Sequence, residues 1–536
     1  MKLANFLVLS FFVLFFVQSA VAQRTVSVLD SGWKFSEGSN EQAFLPDFND
    51  AGWQTVEVPH DWAIEGPCDM AGDGSTGKLP WKGEGWYRKN LEIPAGFAGK
   101  TIYLLFDGVM AFPQVFINGQ LAGKWDYGYN SFYLDVTKLV QPGGENLLAV
   151  YADTRNHDSR WYPGAGIYRK VQLIAVNPVH VDIWGTYITT PVIKPHMATV
   201  QIETSVRNNN SVEKQVVVKQ TIFNKKGYKV GETSETIAIS ATGNNQSNSV
   251  ITLLNPERWE PGNPVLYSVK TEILENNQIV DTYETPFGVR EIRITPDHGL
   301  YVNDKRVQLK GVNLHHDFGA LGAAFNYRAM QRQLEIMQEM GCNAVRTSHN
   351  SPVPELLDLC DKMGLLVIDE VFDKYDAKAD ITDTTNFENF AHRNIRNFVV
   401  RDRNHPSIFL WSVGNEMGDV QWDKNGGFDK LKTMLKWVEQ FDSTRLTTMV
   451  CDSKESAKLR HFDFYDVHCW NYGRRYSLAR EMEPNKSVII SESASTLSTR
   501  GFYEFPLPTD KTKTTKSLQV SSYDLHAPYW AEIRSE

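Results

Sequence analysis

Apolar residues recur at a two-residue spacing in the first half of the chain and at helical spacing in the second. Between Gln23 and Val176, short runs rich in β-branched and aromatic residues read as strands, among them Thr101 to Phe106, Gln114 to Ile117 and Leu147 to Tyr151. Asn118-Gly119 and Pro142-Gly143-Gly144 supply turns between such runs. No long helical period interrupts them, which predicts a jelly-roll β-sandwich over 23–176. From 177 to 295 the alternation is cleaner. Val200, Ile202, Thr204 and Val206 share one face, as do Tyr267, Val269, Thr271 and Ile273. A module of roughly 100 residues built of short strands predicts an immunoglobulin-like β-sandwich.

The period changes after Pro296. Strand-like runs now alternate with amphipathic helices, as in a parallel α/β fold. The predicted strands start at Leu309, Ala344, Leu365, Ile408, Leu446, Val467 and Val488. Helical stripes lie between them: Met330, Leu334 and Met337 before Gly341, and Leu356, Cys360 and Met363 before Gly364. Phe387, Phe390, Ile395 and Phe398 form a third stripe, and Leu431, Leu435 and Val438 a fourth. Seven such repeats predict a (β/α)8 TIM barrel over 296–536. The stretch after Glu492 is rich in Pro, Lys and Thr and yields no convincing eighth strand. The expectation is therefore a barrel truncated before strand 8.

Composition narrows the function. Lys2, the apolar run Phe6 to Val17 and Ala20-Val21-Ala22 predict a signal peptide over 1–22, cut after Ala22, and a secreted or periplasmic protein. The run is shorter than the roughly 20 residues a spanning helix needs, so no membrane insertion is expected. Net charge is -9 with no basic stripe, which excludes nucleic acid as the expected partner. Aromatics reach 12%, including 14 Trp and 21 Tyr; such rings pack on the apolar faces of pyranoses, although most serve the core. Five cysteines (68, 342, 360, 451 and 469) are scattered without a C-x-x-C or zinc spacing, which predicts buried free thiols.

Candidate chemistry gathers where barrel enzymes carry it, at the C-terminal ends of strands. Strand one runs into His315-His316-Asp317. Strand two carries Arg346 and ends at His349. Strand three ends in Asp369-Glu370 with Asp373 beyond. Strands four, six and seven end in Asn415-Glu416, Asn471-Tyr472 and Ser491-Glu492. Glycoside hydrolysis needs one carboxylic acid at the leaving oxygen and one carboxylate near the anomeric carbon. Glu416 and Glu492, on opposite sides of the mouth, are the candidates. A separation of about 5 Å would make the reaction retaining. The competing reading is that each is a helix-start carboxylate satisfied by backbone N–H groups. Asn415 is placed to donate to a sugar 2-OH, Arg346 to keep the nucleophile ionised, and Tyr472 to donate to it. His315 and His349 are candidates for sugar hydroxyls. His405-Pro406, before strand four, falls at the barrel bottom and reads as structural.

These residues resemble glycoside hydrolase family 2, and its β-galactosidases most closely. The matching stretches are Lys310 to His316, Asn343 to His349, Arg401 to Pro406 and Trp411-Ser412-Val413-Gly414-Asn415-Glu416. Val58-Pro59-His60-Asp61-Trp62 and Gly166-Ile167-Tyr168-Arg169 match near the N-terminus. The run Ser491 to Ser495, with Arg500-Gly501 and Phe505-Pro506, is similar to Bacteroidetes-type enzymes. The resemblance implies the order jelly roll, immunoglobulin-like domain, barrel. It implies Glu416 as general acid/base, Glu492 as nucleophile, and His315, Arg346, His349, Asp373, Asn415 and Tyr472 around the sugar. Well-known members bind magnesium through a Glu and a His shortly after strand three. Lys374 and Asp376 stand there, so no metal and no cofactor is expected. The implied partner is a β-linked oligosaccharide or polysaccharide-derived glycoside, and a homo-oligomer stays open. β-Glucuronidase and β-mannosidase share the architecture and stay open as well. So does a reading from another class, a non-catalytic carbohydrate-binding protein with an incomplete barrel. The run Ser159 to Gly166 is more similar to the galactosidase branch.

Overall fold

The computed structural model describes residues 24–69, 76–374, 387–472 and 476–493. The expected signal peptide, Asp376, Arg500-Gly501, Phe505-Pro506 and the stretch searched for an eighth strand lie outside them. No helix among the described residues is long and apolar enough to cross a membrane.

The N-terminal module is a sandwich of a six-stranded and a four-stranded antiparallel sheet. Thr101–Phe106, every residue of it buried, sits inside the smaller sheet between Val171–Val176 and Phe132–Asp135. Asn118 and Gly119, both at positive φ, turn Gln114–Ile117 into Gln120–Lys124. A positive-φ pair gives the hairpin the twist its strands require. The second module packs a three-stranded on a four-stranded sheet. Along Met197–Asn208 each second residue is buried, as the alternation predicts.

A small sheet of Ile292–Thr295, Gly299–Val302 and Lys305–Val307 spans Pro296. Leu300 and Val302 join Trp259 beneath the barrel, against Ala344, Leu366, Ile368, Leu410 and Val450. The barrel strands are β1 (Gly311–Leu314), β2 (Ala344–Thr347), β3 (Leu366–Glu370), β4 (Ile408–Asn415), β5 (Leu446–Cys451), β6 (Val467–Asn471) and β7 (Ser487–Glu492). All six neighbouring pairs are parallel and follow chain order. The sheet curls, and Asn313 on β1 donates from Nδ2 to the Ser491 carbonyl on β7 at 3.0 Å.

Helices cover the outside. α1 (Tyr327–Glu339) starts on an Asn326 side chain that accepts from the Ala329 N–H. α2 (Pro354–Met363) begins on proline and ends at Gly364 in the left-handed region. α3 (Phe387–Asp402) and α4 (Gly427–Phe441) bury Phe390, Ile395 and Phe398 on one, Leu431, Leu435 and Val438 on the other. Outward residues of the strands (Val345, Val367, Trp411) belong to one apolar cluster that continues into the N-terminal sandwich. Inward residues (Ala344, Ile368, Leu410) form a second cluster.

β4 runs on to Asn415 and β6 to Asn471. Polar residues continue these ladders because their amides find partners inside the mouth. Near these ends both pairings carry a register shift, between Ser412 and Asn415 and between Trp470 and Asn471. Such bulges re-aim side chains. All five thiols are free, but only Cys360, Cys451 and Cys469 are buried; Cys68 is exposed, which corrects the expectation.

Candidate active site

Arg346 organises the mouth of the barrel. It is 3% exposed and stands on β2 in the inward phase. Its guanidinium donates to Glu370 on β3 at 2.9 and 3.1 Å, and to Glu492 Oε1 on β7 at 2.9 Å. It also donates to Asn415 Oδ1 at 3.0 Å and Asn313 Oδ1 at 3.1 Å. One planar cation thus ties β1, β2, β3, β4 and β7 together, a task suited to a rigid fork of five donors. His349 shares Glu370: its Nδ1 lies 2.8 Å from Oε1, and its Nε2 lies 3.8 Å from Glu492 Oε1.

The two candidate carboxylates sit in unlike surroundings. Burial alone would raise the Glu492 carboxyl, but the Arg346 charge, His349 and a hydrogen bond from Tyr472 hold it below the ordinary range. Glu416 is pushed upward, first by burial and then by the charge of Asp452, while Lys374 and Asn471 pull the other way. Its Oε1 accepts from Asn471 Nδ2 at 2.6 Å. That bond is to a side chain of β6, not to an N–H of the short helix Gly418–Gln421 that follows. A depressed carboxylate beside an elevated one is the division of labour that acid/base chemistry at one centre requires.

Backbone geometry marks the same place. Glu416 has φ +47° and Tyr472 φ +63°, left-handed values that disfavour side-chain-bearing residues. Such strain is of order 1–3 kcal/mol and collects at sites whose surroundings enforce it. The Glu416 N–H donates to the Val450 carbonyl at 2.9 Å, and the Tyr472 N–H to the Glu492 carbonyl at 2.5 Å.

The remaining predicted residues also face this mouth. Asn415 donates to Asp373 Oδ1 at 3.0 Å and accepts from Arg346 and Asn471. Asp373 is 3% exposed and held by cations: Arg160 forks it at 3.0 and 3.1 Å, and Lys374 lies 3.3 Å away. Despite burial, His349, Lys374 and Arg160 hold its carboxyl below the usual range. It holds Asn415 and Arg160 in this arrangement. The His315 ring packs against Trp161 at 4.9 Å and His349 at 5.5 Å. Burial, then the neighbouring His349, lower it to about 3, so it works as a neutral donor or acceptor near pH 7.

The sequence places Glu370 and Asn471 at strand ends and Arg160 and Trp161 in the run Ser159 to Gly166, but assigns none of the four a role in the site. The first two carry a usable signal, since each continues the inward phase of its strand (Leu366, Ile368, Glu370; Val467, Cys469, Asn471). Arg160 and Trp161 carry none, because they come from a loop of another domain. His316 joins that loop to the barrel through the Pro163 carbonyl, 3.1 Å from Nε2. The Trp161 Nε1–H is buried without a hydrogen-bond partner among the described residues.

Comparison with known proteins agrees with this layout. The descriptions "Glycosyl hydrolases family 2, sugar binding domain", "Glycosyl hydrolases family 2" and "Glycosyl hydrolases family 2, TIM barrel domain" match residues 28–177, 179–290 and 292–523. The chain belongs to glycosyl hydrolase family 2. It is 36% identical to a protein named beta-galactosidase of Bacteroides ovatus, over 97% of this chain and 66% of that one. It is 32% identical to a putative beta-glucuronidase of Formosa agariphila, over 90% of this chain and 44% of the other. A solved family 2 structure from Bacteroides cellulosilyticus superposes with a TM-score of 0.83 at 31% identity, covering 88% of this chain and 62% of that chain. The chain thus spans two thirds or less of the length of these relatives.

Well-known members of the family imply a magnesium ion at the end of β3, where this chain carries Lys374. Lys374 follows β3 with its ammonium 2.6 Å from the Asn415 carbonyl and 3.9 Å from Glu416 Oε2. A fixed cation there repels a second one. Among the described residues no cluster of three His, Cys, Asp or Glu side chains is placed to hold a metal. The residues do not fit the ion.

Proposed function

We propose that the chain is a retaining exo-glycosidase that removes terminal β-D-galactose from β-galactosides. The observation that carries this reading is the unlike setting of Glu416 and Glu492 in one hydrogen-bonded mouth. Glu492, kept ionised beside Arg346, attacks the anomeric carbon and forms a glycosyl ester. Glu416, whose carboxyl is pushed upward by burial, gives its proton to the departing glycosidic oxygen. Glu416 then takes a proton from water, which attacks the anomeric carbon and releases Glu492. Galactose as the sugar is supported by the relative at 36% identity that is named a beta-galactosidase, and by the run Ser159 to Gly166. Relatives named beta-glucuronidase make a glucuronide the second sugar to try.

The test is turnover of nitrophenyl β-D-galactoside, β-D-glucuronide and β-D-mannoside by the wild type and Glu492→Gln. Galactoside turnover that falls by at least about 10³-fold in Glu492→Gln supports the reading, a loss in the range seen when catalytic groups are removed. Sugar binding with no turnover in either protein sinks it and leaves a carbohydrate-binding protein. Export rests on Lys2, the run Phe6 to Val17 and Ala20-Val21-Ala22, and predicts a mature N-terminus at Gln23.

A further inference from the structure

Two cations flank Glu416 Oε2, Lys374 Nζ at 3.9 Å and Arg160 Nη1 at 4.0 Å. Their situations differ. The Arg160 side chain is 40% exposed, and its charge is matched by Asp373, on which it forks. Lys374 is 14% exposed, shares Asp373 Oδ1 at the longer distance of 3.3 Å, and donates at 2.6 Å to the carbonyl of Asn415, the peptide that leads into Glu416. That peptide needs holding, because Glu416 takes up the strained left-handed backbone. The other charged groups facing Glu416 are anions: Asp452 after β5 and Glu492 on β7, with the neutral amide of Asn471 from β6.

We infer that Lys374 is a positioning residue for Glu416: it pins the Asn415–Glu416 peptide and supplies the fixed positive charge beside the acid/base carboxylate, so that the acid works without a divalent cation. This rests on the reading of Glu416 as acid/base. Three observations carry it: the short bond to the Asn415 carbonyl, the 3.9 Å approach to Oε2, and the misfit of these residues to a metal. Among the charges on Glu416, Lys374 is the strongest that favours the ionised form. Without it, burial and two anions act against the carboxylate, with the neutral Asn471 amide and one guanidinium already matched by Asp373 left in opposition.

The test compares the full chain with Lys374→Met, which removes the charge at similar length, and Lys374→Arg, which keeps it. One readout is the basic limb of kcat/KM against pH on an aryl glycoside with a poor leaving group, which reports the acid in the free enzyme. The other needs no turnover: carbodiimide coupling of glycinamide at Glu416, which requires the protonated carboxyl, followed by peptide mass spectrometry across pH. Lys374→Met should move both midpoints upward by about one pH unit or more, the size of a lost unit charge near 4 Å. Lys374→Arg should stay near the wild type, and dialysis against EDTA should move nothing. An unmoved coupling midpoint in Lys374→Met overturns the proposal. So does an equal shift in Lys374→Arg, or a wild-type midpoint that falls when magnesium is added back. Lys374→Gln is held to the same criterion if the Met variant does not fold. A shifted coupling midpoint with no turnover by any variant would sink the glycosidase reading alone. Normal turnover with an unmoved midpoint would sink only the role of Lys374.

Discussion

At the scale of single residues, two chemically identical side chains are given opposite shifts in proton affinity. Both Glu416 and Glu492 are mostly buried, which alone would raise each of them above 4.5. Arg346 reverses the sign for Glu492 by contact at 2.9 Å. The pH dependence follows in sign. Falling pH removes activity only once Glu492 is protonated, and its depressed carboxyl puts that limb below 4.5. Rising pH removes activity as Glu416 loses its proton, and its elevated carboxyl puts that limb above 4.5. A bell-shaped kcat/KM profile with limbs on those two sides is expected. Replacing Arg346 with Met should raise the acidic limb toward the basic one and narrow the bell. An acidic limb that stays put in Arg346→Met would show that Arg346 does not set the charge of the nucleophile.

At the scale of elements, β4 is set in place from below. Asp361 on α2 accepts from the Ser407 N–H at 3.0 Å, just before β4, and pairs with His405 Nδ1 at 2.6 Å. Burial would lower this imidazole, but Asp361, then Asp358 and Asp402, hold it up to about 9. The folded value lies above the unfolded one near 6.5, so the pair's contribution is fully present below pH 6.5. It declines between pH 6.5 and about 9, and is gone above that. His405→Gln should lower stability by about 3 kcal/mol at pH 6, the range for removing one partner of a buried pair. Thermal melts from pH 6 to 9.5 check this: the difference between wild type and variant should shrink as pH rises. A difference that is constant over that range would mean the pair is not the source of the stability.

At the scale of the whole molecule, the mouth belongs to two domains. The loop bearing Arg160 and Trp161 is clamped by Asp61, 2% exposed. Asp61 accepts from Tyr162 Oη at 2.6 Å, Ala165 N–H at 3.0 Å, Ala63 N–H at 3.1 Å and, across the interface, Ala323 N–H at 2.8 Å. Gly164 lies in the same loop at φ +75°, where a Cβ would come 2.4 Å from that of Ala323. The same contacts therefore serve both domain docking and the placement of this loop. Asp61→Ala leaves several buried donors unsatisfied and should cost about 3 kcal/mol or more. It should also weaken kcat/KM for a part of the site more than 100 residues away in sequence from the barrel strands it serves. Asp61→Asn, which keeps an acceptor, should lose less of both. Melting temperature and kcat/KM measured together check the coupling. Equal activity in all three proteins would place the Arg160 loop outside the working site.

Much of this was legible in the chain itself. The switch from a two-residue to a helical period separates the sandwiches from the barrel, because a strand and a helix bury their faces at different spacings. Glu416 and Glu492 stand out because strand ends of parallel barrels share one rim, so residues far apart in sequence are read as neighbours. His405 reads as structural for the same reason, lying at the opposite rim. What the sequence could not decide are the contacts made across elements and domains. The engagement of Asp373 by Arg160, the bond of Lys374 to the Asn415 carbonyl and the choice of Asn471 as partner for Glu416 depend on directions of side chains and on bulges in β4 and β6. Periodicity says which way a strand residue faces, but only packing of the N-terminal sandwich on the barrel brings a loop cation to a carboxylate. The candidate residues were set by the sequence, and the direction in which their proton affinities shift was decided by the tertiary fold, because charge, burial and distance act on proton affinity only once the groups meet.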